Sequence, residues 1–96
     1  MLNEQLHRGA DHEDGVKFAA VYELDGVPVG VTVITRYGDI QVFVRKSLRR
    51  KGIGSALIDY ARKNADESYV KRMDAGTGLL SGSREFWRAN NVRMYD

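Results

Sequence analysis

Residues 42–55, Val-Phe-Val-Arg-Lys-Ser-Leu-Arg-Arg-Lys-Gly-Ile-Gly-Ser, gather groups suited to holding an anion. The β-branched and aromatic start reads as a strand, the basic stretch as a loop, and Ile53 onward as an amphipathic helix. The opening amides of a helix have no intrahelical acceptor, and the helix dipole adds partial positive charge at that end. Here those amides belong to Gly52, Ile53, Gly54 and Ser55. Gly52 and Gly54 bring no side chain, so a bulky anion can reach the backbone, and Arg49, Arg50 and Lys51 add full charges beside it. A pyrophosphate suits such a loop.

The charge balance of the chain points to the same place. Net charge is only +2, but residues 31–63 hold eight Lys and Arg against two Asp, whereas residues 1–30 hold six acids against two bases. A general nucleic-acid binder would carry a larger excess spread along a stripe, so the reading excludes nucleic acid and favours one local anion. The 45–51 basic run alone supports the nucleic-acid alternative. With no Cys there is no disulfide framework, no thiolate nucleophile and no Cys-bound metal. Asp11-His12-Glu13-Asp14 lacks a second cluster and regular spacing, and reads as a solvated charge run, as does His7; no metal site is expected.

The elements that must position the loop form a compact mixed fold. At 96 residues and 43% hydrophobic content the chain suits one domain, 1–96, with a single modest core and a polar segment over 1–15. One helical turn is expected around Leu2 and Leu6. Strands are expected over 16–23 and 28–36, joined by an Asp25-Gly26 hairpin turn, and over 40–45. In the last of these Ile40, Val42 and Val44 face one side, and Gln41, Phe43 and Arg45 the other. A helix over 53–66 buries a stripe of Ile53, Ala56, Leu57, Tyr60 and Ala61. A strand over 69–74 must run parallel to 40–45, because a helix joins them. A short helix over 82–90 and a last strand over 92–95 complete the chain. No apolar run approaches a membrane span, and the N-terminus is too polar for a signal peptide, so a cytosolic protein is expected.

Three antiparallel strands, then a strand–loop–helix bearing Arg49-x-x-Gly52-x-Gly54, a parallel strand and another helix resemble the GNAT (Gcn5-related) N-acetyltransferase superfamily. The family signature is Gln/Arg-x-x-Gly-x-Gly/Ala, here between Val42-Phe43-Val44 and Ser55-Ala56-Leu57-Ile58, and the likeness spans about residues 16–92. It implies an α/β (α+β) fold with one mixed, mostly antiparallel twisted sheet and helices packed on it. It also implies that the loop amides bind the pyrophosphate of acetyl-CoA, and that Val42, Phe43 and Val44 line its pantetheine arm. A backbone amide near Val44 would polarise the thioester carbonyl.

The resemblance further implies acetyl transfer to a primary amine, on a protein, peptide or small molecule, by direct attack in a ternary complex. In one branch of the family a Glu near the start of the third strand takes the amine's proton. Asp39 lies about there, with Asp74 and Glu23 as alternatives. The chain resembles a short member, lacking the two helices the family carries between its first and second strands and most of the closing hairpin. Leu80 falls where many members have an Asn contacting CoA, and Trp87 where many have a Tyr that protonates the leaving thiolate. Trp87 and Phe86 are therefore expected in core and cofactor-side packing, with solvent as the acid. The competing class is a non-catalytic module of the same fold that binds CoA or a protein partner. Exposed sheet edges make a homodimer plausible.

Overall fold

The computed structural model describes residues 4–8, 15–49, 51–71, 73–76 and 84–95. Strands β1 (Glu4–Arg8), β2 (Val16–Leu24), β3 (Val27–Thr35) and β4 (Ile40–Val44) form an antiparallel sheet in chain order. A 3-10 turn (Lys46–Leu48) leads to α1 (Ile53–Asn64), followed by α2 (Glu67–Lys71), β5 (Asp74–Gly76), α3 (Arg84–Ala89) and β6 (Arg93–Tyr95). β5 and β6 pair in parallel, and one parallel bridge, Asp39 to Asp74, joins that pair to β4. The whole is the expected mixed, mostly antiparallel arrangement with helices packed on it.

Local chemistry explains the joints. Asp25 and Gly26 take φ of 51° and 78°, the two left-handed positions of a type I′ hairpin turn, as the Asp-Gly pair predicts. The β3–β4 turn is tied by the Gly38 amide to the Thr35 carbonyl at 3.0 Å and the Thr35 amide to the Asp39 carbonyl at 2.9 Å. The Asp74 amide then donates to the Gly38 carbonyl at 3.0 Å, anchoring β5 against that turn.

Alternation places the core. Phe18, Ala20, Thr32, Ile34 and Ile40 are buried on one sheet face, against Ile53, Leu57, Ile58 and Ala61 of α1 and Trp87 of α3. Thr32, the buried polar residue among them, donates its hydroxyl to the Gln41 carbonyl at 2.9 Å. On β4, Ile40 is buried and Val42 and Val44 half-buried, while Gln41 and Phe43 are exposed, as their spacing predicts. The opposite face carries Val21, Val31 and Phe43 in one cross-strand row, with Phe43 46% exposed.

Two expected elements differ. The turn expected around Leu2 and Leu6 is a strand over Glu4–Arg8, registered on β2 from Glu4–Leu24 to Arg8–Ala20. A single isolated turn fixes several dihedrals for one hydrogen bond, whereas β2 offers a ready ladder. The strand expected over 69–74 is instead α2, with the strand confined to Asp74–Gly76. Asp66 caps that helix, accepting from the Ser68 amide at 2.9 Å and the Ser68 hydroxyl at 2.7 Å, and Glu67 pairs with Lys71 one turn on at 3.5 Å. The Ser68 contacts hold the Asp66 carboxyl below its ordinary value.

Candidate functional site

The loop after β4 presents a helix start without a side-chain cap. Gly52 is the N-cap of α1, with φ of 82° and no capping hydrogen bond, and no acid stands in the first turn. The helical ladder begins with the Ala56 amide on the Gly52 carbonyl at 2.9 Å, so the amides of Ile53, Gly54 and Ser55 precede it as surplus donors. A Cβ built on Gly52 meets nothing within 4 Å, so the space above this turn is open. Arg45, Lys46, Arg49 and Lys51 are all exposed around it; Arg50 lies outside the described residues.

Several expected contributors also have structural roles. Arg49 Nε donates to the Val44 carbonyl at 3.3 Å, tying the loop back onto its strand. Ile53 is 4% exposed, so its amide faces the loop while its side chain fills the core. Gly54 is required by packing: a Cβ there would lie 2.8 Å from the Phe86 ring. Trp87 points into the core rather than to the surface. It is 1% exposed, and its indole is core, edge-on to Phe86 with ring centroids 5.0 Å apart. Phe86, one residue earlier on α3, is the ring beside the start of α1. Helical rotation of about 100° per residue separates the two faces.

β4 supplies the wall between the loop and the carboxylates. The Arg45 amide donates to the Val29 carbonyl across to β3 at 2.9 Å. By alternation, the amides of Val42 and Val44 point to the other edge, where β4 and β5 part after the Asp39–Asp74 bridge. Asp39 to Val44 spans about 17 Å of strand. Among the described residues nothing pairs with this edge of β4 beyond the bridge, so it forms one wall of a cleft, with the surplus amides of α1 at its open end and Asp39 at its closed, bridged end.

The closed end holds a cluster of polar groups on the face away from α1. Arg93 Nε binds Asp74 Oδ1 at 2.5 Å. The Tyr95 hydroxyl donates to Asp39 Oδ1, and among the described residues no cation pairs with Asp39. The bridge brings Asp39 and Asp74 together, while Glu23 sits opposite Pro28, toward the far end of β2 from the Val16–Thr35 pair. Tyr95 was not singled out in the sequence, because nothing local distinguishes a tyrosine in a final strand. Leu80 and the 11–14 acidic run lie outside the described residues.

The acetyltransferase (GNAT) domain model matches residues 15–95. Comparison with curated proteins and with solved structures finds no match.

Proposed function

Because the chain belongs to the GNAT acetyltransferase family, we propose that it moves an acetyl group from acetyl-CoA to a primary amine by direct attack in a ternary complex. The observation that carries this reading is the edge of β4, which runs from the surplus amides of α1 to Asp39, a carboxylate that among the described residues pairs with no cation. Its residues fit the substrate. The amides of Ile53, Gly54 and Ser55, with Lys51 and the exposed charge around them, would hold the pyrophosphate. The outward amide of Val44 would hold the pantetheine arm, and that of Val42, nearer Asp39, the thioester carbonyl. The bound thioester supplies an activated acyl group.

What the protein must add is a neutral nucleophile. An alkyl ammonium of pKa about 10.4 costs roughly 4.6 kcal/mol to deprotonate at pH 7. Asp39, directly or through one water, takes that proton. Asp74 is the weaker choice because Arg93 already neutralises it. The exposed Phe43 on the sheet face away from α1 supports a peptide or protein acceptor over an enclosed small molecule. The outer edges of β1 and β6 support a homodimer; monomer alone in sedimentation at high micromolar concentration would remove that assignment.

Calorimetry with acetyl-CoA and thioester turnover with a panel of amines test the reading together. Asp39→Asn is expected to bind CoA as the parent does while losing about 100-fold or more in kcat. Tight CoA binding with no turnover of any amine would instead favour the non-catalytic module.

A further inference from the structure

The two carboxylates at the closed end of the cleft are held in different ways. Asp39 and Asp74 stand opposite each other across the bridge between β4 and β5, an arrangement in which like charges repel. β6 meets them with two side chains on one face, two residues apart. Arg93 binds Asp74 through a full charge, and Tyr95 binds Asp39 through a neutral hydroxyl. Tyr95 lies opposite Gly76 in the β5–β6 ladder. A glycine there interposes no side chain between the phenol on β6 and the carboxylate on β4. Asp74 is thereby ion-paired, while Asp39 has one oxygen fixed by a neutral donor.

We propose that Tyr95 is the positioning residue for Asp39, fixing one carboxylate oxygen so that the other meets the acceptor's ammonium. This rests on the acetyl-transfer reading. As the ammonium N–H bond breaks, the Asp39 O–H bond forms; Tyr95 keeps its proton and acts only through Asp39. The contact pushes the Tyr95 phenol above its ordinary value, chiefly through the hydrogen bond to Asp39, then through partial burial and the charges of Asp39 and Asp74. It therefore stays a donor through the mildly alkaline range in which amines react. The role sits on β6, a strand away from the helix where Trp87 occupies the position of the family's tyrosine.

Tyr95→Phe keeps the ring and deletes the hydroxyl. Its kcat is expected to fall about tenfold with KM for acetyl-CoA unchanged, and the Tyr95→Phe/Asp39→Asn double variant to be no slower than Asp39→Asn alone. A second measurement needs no turnover. Ultraviolet titration of the phenols, with Tyr95→Phe subtracted to isolate Tyr95, should place it above the ordinary 10.0, and in Asp39→Asn it should fall back toward that value. Full kcat in Tyr95→Phe, or additive losses in the double variant, would overturn the positioning role. A Tyr95 titration indifferent to Asp39→Asn would overturn the contact itself. If the titration linkage holds but no amine is acetylated, the acetyl-transfer reading fails, and the pair is reduced to a structural tie between β6 and β4.

Discussion

The two glycines of the Arg49-x-x-Gly52-x-Gly54 motif are required for different physical reasons. Gly52 has unlimited room for a Cβ but a φ of 82°, a conformation that costs an L-residue about 1–2 kcal/mol. Gly54 has no room, since its Cβ would press on the Phe86 ring at 2.8 Å. Gly52→Ala is therefore expected to destabilise whatever happens to Phe86. Gly54→Ala is expected to lose about 1–3 kcal/mol by overpacking, more than the helix propensity of alanine returns. Adding Phe86→Leu should recover most of the Gly54→Ala loss and none of the Gly52→Ala loss. Urea denaturation of the four variants checks this, and equal rescue of both would refute the distinction.

At the scale of elements, the short α3 is held to α1 by Arg62. Its Nη2 donates to the Asn90 carbonyl at 2.5 Å and the Asn91 carbonyl at 3.0 Å, satisfying the carbonyls at the end of α3, where Asn91 turns left-handed with φ of 57°. That bracket keeps Trp87 in the core and Phe86 beside Gly54. Arg62→Met retains most of the apolar stem but loses both bonds. An expected cost of about 1.5–3 kcal/mol follows for a charged donor, with a weakened CoA affinity because Phe86 borders the start of α1. Loss of stability with unchanged affinity would separate α3 from the cleft. No helix among the described residues is long and apolar enough to cross a membrane.

For the whole molecule, the closed end of the cleft links stability to pH. The Tyr95 phenol titrates above its unfolded value of 10.0. The hydroxyl contact thus contributes fully below about pH 10, and the contribution is lost as pH rises through the raised folded value. The difference in melting temperature between the parent and Tyr95→Phe is expected to stay constant from about pH 7 to pH 9 and to shrink above about pH 10. A gap that widens in alkali would show the opposite linkage and contradict the hydrogen bond. The sheet that carries this cluster is sided: helices cover one face, and the row of Val21, Val31 and Phe43 lies on the other.

Periodicity and turn chemistry made most of this fold legible in the sequence. The hairpin at Asp25-Gly26, the sidedness of β4 and the apolar stripe of α1 are local patterns, set by residues within one or two turns of one another. The loop proposed to hold an anion was legible for the same reason, because the surplus amides of a helix start and the basic residues before it are neighbours in the chain. The helix at Glu67–Lys71 was misread as strand because Tyr69 and Val70 favour either state, and the Asp66 cap that decides it is a single residue. What only tertiary structure decided is the pairing of distant strand ends. Tyr95 reaches Asp39 across 56 positions and Arg93 reaches Asp74 across 19. The register of β6 on β5 settles which carboxylate meets a guanidinium and which a phenol. The same packing buries Trp87 and turns Phe86 toward the loop, a choice fixed by how α3 rolls against α1.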